Sequence, residues 1–275
     1  MTAAPETPEY TISPIGFFSC QQEHPYDVPR QGSLAQNNTG VITLLPEYAN
    51  TLFKLDTFSH IWVVFLFHKN TTWKPMVLPP RHITQKVGVF ASRSPYRPSR
   101  IGFSCVKLDA VRGRDIHVSS HDLLDGTPIL DIKPYLPYAD SFPDASPGWT
   151  AEGLEQSYFI AYTRLAEHQL DWLTAHGVPC LRDFIQDRLS LDPLDTSRNR
   201  LCPDTDGAHV LAYRTWRILF TIEVASPAAQ LLVREICSAY TPEELASPED
   251  KYGDKETHRQ FASLLCQERR AGSMG

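Results

Sequence analysis

A mainly β barrel followed by a small α+β domain is the architecture the sequence predicts, and three observations predict it. About seven short segments rich in β-branched and aromatic residues precede residue 140. A proline- and glycine-rich stretch, residues 134–153, follows them. Beyond it the hydrophobic period changes to one that suits helices. The expected domains are therefore 1–150 and 151–275. With 42% hydrophobic and 21% charged residues among 275, the composition is that of an ordinary globular chain, and 22 prolines argue against a helical bundle.

Taken in order, the expected strands are Tyr10–Phe18, Gly40–Leu45, Phe58–His68, Lys86–Ala91, Ile101–Val111, Asp115–Ser120 and Pro128–Ile132. Asn37-Asn38-Thr39-Gly40, Pro79-Pro80, Arg112-Gly113-Arg114 and Asp125-Gly126 supply turns between them. Gly40-Val41-Ile42-Thr43-Leu44 is apolar enough for a strand covered on both faces. Val106, Leu108 and Ala110 alternate with Lys107, Asp109 and Val111, which suits a half-exposed one. So many strands with so few helices point to closure, which removes exposed edges. Pro46–Leu55 is the exception, with Tyr48, Leu52 and Leu55 at helical spacing. In the second half, Leu165–Ala175 and Val178–Leu191 read as helices, Leu211–Val224 alternates as a hairpin strand, and Ala228–Tyr240 reads as a helix. Thr241-Pro242-Glu243-Glu244 opens another helix, with its cap and N1 proline in place.

Several function classes are excluded. No two of the 14 glycines are separated by one residue, so there is no G-x-G phosphate loop, and no P-loop, H-E-x-x-H, G-x-S-x-G or deaminase signature occurs. The longest apolar run, Ile61–Phe67, falls far short of the ~20 residues needed to span a bilayer. The opening residues lack the basic start and apolar core of a signal peptide, and six cysteines without a C-x-x-C pair read as reduced thiols; a cytoplasmic protein is expected. His60 and His68 flank an apolar strand with no third ligand, so no metal site is expected.

Two features carry chemistry. Arg81 to Arg114 holds eight basic residues against one acid in a chain of net charge −6, and the tail from Glu243 to Glu256 holds six acids and two lysines. With Phe90 and Tyr96 interleaved, the basic stretch can face a phosphate backbone, and Arg81, Lys86, Arg97 and Arg100 are the candidate RNA contacts. By charge alone, a solvated face with intramolecular ion pairs is the alternative. The second feature is Asp125-Gly126-Thr127-Pro128, first of all a turn, followed by Asp131, Lys133 and Tyr135. Two residues apart on a strand, these last three project from one face, where ionisable groups are costly to bury and useful in a site.

Four separated motifs complete the reading: Pro29-Arg30-Gln31; Phe58-Ser59-His60-Ile61-Trp62 leading to Phe67-His68; Val89-Phe90-Ala91-Ser92-Arg93-Ser94-Pro95-Tyr96-Arg97-Pro98; and Asp125 through Tyr138 with Phe142-Pro143-Asp144-Ala145-Ser146. In this order and spacing, over roughly residues 10–150, the chain resembles the TrmO (YaeB) family of tRNA methyltransferases. The resemblance implies a barrel of the non-Rossmann methyltransferase type that uses S-adenosylmethionine, bound near a homodimer interface. It also implies methylation of N6 of threonylcarbamoyladenosine beside the tRNA anticodon, and it agrees with the missing glycine loop. Cofactor contacts carry over to Pro29, Arg30, Gln31, His68, Lys69, Arg93, Asp125, Gly126, Thr127 and Pro128. Where the family reads Arg-Pro-Asn-Pro-Ile-Gly, this chain has Arg97-Pro98-Ser99-Arg100-Ile101-Gly102; its Asp192-Pro193-Leu194-Asp195-Thr196-Ser197-Arg198 also departs from the family's basic Asp-Pro-Arg-Pro-Ala-Tyr-Arg. For the chemistry, Asp131 is the expected base, with Lys133 and Tyr135 holding the carbamoyl group or stabilising negative charge. The competing reading makes these three a brace of the barrel end. A non-catalytic nucleotide sensor, or a hydrolase built on His68 or His121, are the other classes to separate.

Overall fold

The computed structural model describes residues 10–24, 38–79, 85–151, 158–190, 193–194, 201–203, 208–225 and 228–272. Contacts divide the chain into two compact units, Met1–Gly148 and Trp149–Gly275. In the first unit the strands are β1 (Gly16–Cys20), β2 (Thr39–Leu44), β3 (His60–Leu66), β4 (Met76–Val77), β5 (Val87–Gly88), β6 (Ile101–Arg112), β7 (Asp115–Ser119) and β8 (Pro128–Pro134). Six of them close into an antiparallel barrel in the order β1-β2-β7-β6-β3-β8, and β4 pairs with β5 as a separate ribbon. The seam is short: Gly16 faces Ile129 and Phe17 faces Pro128.

Alternation decides what fills the barrel. Phe18, Ile42, Leu44, Ile61, Val63, Phe65, Val106, Leu108, Ile116, Val118 and Ile129 point inward and are buried. A barrel this small cannot take large residues at every inward position, and glycine makes room at two. A β-carbon at Gly40 would collide with the Phe18 ring, and one at Gly102 with the Phe65 ring. Each phenylalanine therefore lies across a glycine of a neighbouring chain segment, an arrangement that fills the interior without strain.

Some expectations shift. Residues 40–44 are covered on one face only, since Gly40, Ile42 and Leu44 are buried while Thr39 and Thr43 are exposed. The first strand begins at Gly16, beyond Pro14, whose missing N–H cannot serve a ladder. The 86–91 segment pairs only at Val87–Gly88 and then turns as a 3-10 helix, as do Pro46–Leu52 and Leu55–Thr57. A bulge in β6 between Leu108 and Ala110 interrupts the expected alternation.

The second unit has a sheet ordered β10-β11-β12-β13-β9 from β9 (Phe159–Tyr162), β10 (Leu201–Pro203), β11 (His209–Tyr213), β12 (Trp216–Ala225) and β13 (Ala228–Ser238). Its helices are α2 (Arg164–Ala175), α3 (Leu181–Leu189), α4 (Pro242–Ala246) and α5 (Lys255–Gly272); a one-turn α1 (Pro137–Asp140) belongs to the first unit. Where a helix was expected over 228–240, residues 228–238 form a strand. Leu231, Val233 and Ile236 are the fully buried positions, and the step from two to three arises because Arg234 is the extra residue where the β12–β13 register shifts. That spacing imitates a helical face, but pairing with both β12 and β9 settles the conformation. The 211–224 segment is likewise two strands, turned at Arg214 and Thr215 with Arg214 at φ 51. Thr241 and Glu244 form the expected capping box of α4.

One end of the barrel is plugged by His121, fully buried and edge-on to Phe18 at 4.7 Å between ring centroids. Burial pushes its pKa down to about 4, so the ring is neutral at pH 7.

Two outcomes are expected. Gly102→Ala forces the Phe65 ring aside and costs about 1–3 kcal/mol in denaturant unfolding, whereas Gly88→Ala, with open space around its α-carbon, leaves the midpoint nearly unchanged. For His121 the unfolded chain takes up a proton below its ordinary 6.5 while the folded one resists until about 4. Stability is thus lost as pH falls through that window, by up to roughly 3 kcal/mol. Thermal midpoints between pH 7 and 4 should fall less steeply for His121→Gln than for the parent protein.

Candidate active site

A cleft of about 400 Å³ opens at the barrel end where β3 finishes and β6 and β8 begin. One wall is residues 65–70, a second is the 92–97 stretch, a third is the start of β6 at residues 101–104, and Asp122, Leu124 and Thr127 complete the lining. The walls are held by the backbone. Phe67 N–H donates to the Arg100 carbonyl at 2.8 Å, and Arg100 Nη1 reaches the Asn70 carbonyl at 3.4 Å. Arg100 sits at φ 53, in the left-handed region. A proline at this position would be fixed near −65° and could not adopt that turn. Arg97 Nη1 donates to the carbonyls of Ser92, at 2.7 Å, and Val89, at 3.2 Å, so this guanidinium ties its own loop together.

The turn at 125–127 is knitted to the end of β1. Gly126 N–H donates to the Phe18 carbonyl at 2.8 Å, Phe18 N–H to the Thr127 carbonyl at 2.9 Å, and Cys20 N–H to Asp125 Oδ1 at 3.0 Å. Gly126 at φ 72 is what the turn requires. Thr127 is buried beneath the cleft. His68 is held below its usual pKa by burial and by the neighbouring Lys69 charge, which keeps the ring neutral at pH 7. Asp122 is pushed up by burial and pulled back by the Ser104 hydroxyl that donates to it and by the Arg93 charge.

The cleft brings together four of the expected cofactor residues, His68, Lys69, Arg93 and Thr127, with Asp125, Gly126 and Pro128 beside Thr127 in the chain; Arg97, expected to meet RNA, is also in its wall. Lys86 and Arg100 are exposed. Pro29, Arg30, Gln31 and Arg81 lie outside the described residues. Asp131 and Lys133 do share a face of β8, with Tyr135 just past its end, but it is the outer face of the barrel, where Asp131 pairs with Val64, Lys133 with Trp62, and the Tyr135 N–H donates to the His60 carbonyl. The reason is a bulge at Leu130, which puts Ile129 inside and Asp131 outside. Both Asp131 oxygens are engaged, one by Lys133 Nζ at 2.7 Å and the other by the Ile132 N–H at 2.9 Å. Beside them Trp62 stacks on Phe103 at 4.3 Å and donates its indole N–H to Asp140 at 2.9 Å. Asp122 and Ser104 are among the cleft residues that sequence reasoning passed over. Their one signal was position, an acid three residues before the Asp125 turn.

No three His, Cys, Asp or Glu side chains among the described residues converge as a metal site, and no described helix is long and apolar enough to cross a membrane.

The family model of the tRNA-methyltransferase O N-terminal domain matches residues 17–141. The chain is 37% identical over 193 residues to a tRNA (adenine(37)-N6)-methyltransferase of Escherichia coli K12, covering 67% of this chain and 82% of the relative. It is 47% identical over 142 residues to a Pseudomonas aeruginosa protein whose name puts it among candidate S-adenosylmethionine-dependent methyltransferases, covering 50% of this chain and 59% of that one. The crystal structure of TrmO from Pseudomonas aeruginosa superposes with a TM-score of 0.58 at 28% identity, over 85% of this chain and all of the other. With the barrel and the ordered motifs already in place, the chain belongs to the tRNA-methyltransferase O family.

Proposed function

We propose that this protein transfers a methyl group from S-adenosylmethionine to N6 of adenosine 37 in tRNA, the acceptor being N6-threonylcarbamoyladenosine. The observation that carries the reading, beyond family membership, is that His68, Lys69, Arg93 and Thr127 line one cleft. The residues suit such a cofactor. Arg93 can pair with a carboxylate through two hydrogen bonds, and the exposed Phe103 ring can meet a sulfonium or a purine. When bound, the cofactor supplies an electrophilic methyl; the chain's own task is alignment of the acceptor nitrogen with it. Phe90, Tyr96, Lys86 and Arg100, all exposed on or beside the 85–100 stretch, suit stacking and phosphate contact with an anticodon loop. A homodimer in which the second subunit completes each cofactor pocket, acting in the cytoplasm, belongs to the same reading.

In this reading the outer-face trio of Asp131, Lys133 and Tyr135 braces the barrel end, since each Asp131 oxygen already accepts a bond within the chain and Asp131 does not line the cleft.

Methyl transfer from labelled cofactor to tRNA from cells with and without the threonylcarbamoyl modification tests the function. Incorporation confined to the modified pool is expected. Cofactor binding without incorporation into either pool would leave a sensor. In the same assay Asp131→Asn should keep turnover within about threefold of the parent, and a hundredfold loss would restore the base to that position.

A further inference from the structure

Asp122 is a residue that neither motif nor spacing singled out, yet its surroundings are built with care. It lines the cleft, and its Oδ1 is removed from solvent with no hydrogen-bond partner among the described residues. Buried acceptors are almost always satisfied, so an orphan in a cleft marks the place of a donor that a ligand brings. Its backbone is clamped on both sides. Asn38 Oδ1 accepts from the His121 N–H at 3.2 Å, Asn38 Nδ2 donates to the His121 carbonyl, and the Leu123 N–H donates to His121 Nδ1 at 3.3 Å. Ser120, immediately upstream, is held at φ 57, a conformation a non-glycine residue keeps only where its surroundings enforce it. All of this fixes one carboxylate beneath the wall that carries Arg93, while packing alone would accept an apolar residue there.

We infer that Asp122 is the catalytic base that accepts the N6 proton of the acceptor adenine, and this rests on the function proposed above. The N6–H bond breaks toward a carboxylate oxygen of Asp122 and the nitrogen's electron pair forms the bond to the methyl carbon. The carbon–sulfur bond breaks with its pair going to sulfur. One sulfonium charge and one carboxylate charge disappear together, leaving a neutral thioether, a carboxylic acid and the N-methylated base. The acceptor nitrogen is delocalised into both purine and carbamoyl carbonyl, so relieving it of its proton is where a positioned base helps. Burial makes this carboxylate more basic than an exposed aspartate, with the Ser104 hydroxyl and the Arg93 charge opposing that shift in part, and its Oδ1 has no donor among the described residues.

The test is Asp122→Asn in the full chain, with single-turnover methylation, cofactor affinity by calorimetry and thermal midpoint all measured. The expected result is a loss of at least a hundredfold in the methyl-transfer rate, cofactor Kd within threefold, and a midpoint at pH 8 equal to or above that of the parent, since a buried charge has been removed. A rate within threefold of the parent would overturn the assignment. So would a tenfold loss of cofactor affinity with the saturated rate preserved, which would make Asp122 a cofactor ligand. Should the Asn variant not fold, Asp122→Glu carries the same test: the carboxylate is displaced by one methylene, and at least a tenfold rate loss with unchanged Kd is expected. A parent protein that methylates neither tRNA pool would instead bring down the proposed function, and the base with it.

Discussion

Closure of a six-stranded barrel over two phenylalanines is the constraint on which the first unit depends. Phe18 and Phe65 have room only because Gly40 and Gly102 present bare backbone to them. Phe65 also belongs to the cleft wall, so the packing that fills the barrel also shapes the site. With every barrel strand paired on both edges, the 67–100 excursion between β3 and β6 can leave the sheet without exposing an edge. That freedom places Arg93 and Arg97 over one end of the barrel, where a loop confined to a two-residue hairpin would have no reach.

The second unit is organised differently. His258, fully buried, stacks on Trp216 at 3.7 Å, meets Ser238 Oγ at 2.7 Å through Nδ1 and Thr215 Oγ1 at 2.9 Å through Nε2. Asp254 accepts from Tyr240 at 2.8 Å and from Thr215. Every polar member has a partner, so the cluster acts as a staple between α5 and the β12–β13 sheet, with Phe261 packing on the same tryptophan. The acidity of the tail is partly absorbed by this work: Asp250 accepts from the Asp254 and Lys255 N–H groups and so caps α5.

The barrel was legible because short runs rich in β-branched and aromatic residues are separated by turn residues, as at Arg112-Gly113-Arg114 between β6 and β7. What was not legible follows from residues the ladder leaves over. Arg234 converts an alternating strand into an apparent helical face, and Leu130 turns a trio of ionisable side chains away from the cleft. A bulge has no composition of its own; it appears only once the partner strand is known. The same holds for β9, which is stabilised by parallel pairing with a strand some seventy residues on.

The two aspartates show why the site was harder to read than the fold. Asp131 stands in a long, recognisable motif, and its charge is spent on Lys133 at 2.7 Å in a setting open to solvent. Asp122 stands in a short connection with no periodicity, between a strand end and a turn. Its distinction lies in desolvation and in an oxygen without a donor, and neither quantity exists until distant segments meet. Asn38, just before β2, holds the adjoining His121 backbone, while Ser104 of β6 and Arg93 give this carboxylate its electrostatic environment. Reactivity of this kind is a property of the closed barrel and cannot be assigned to a string of neighbours in the chain.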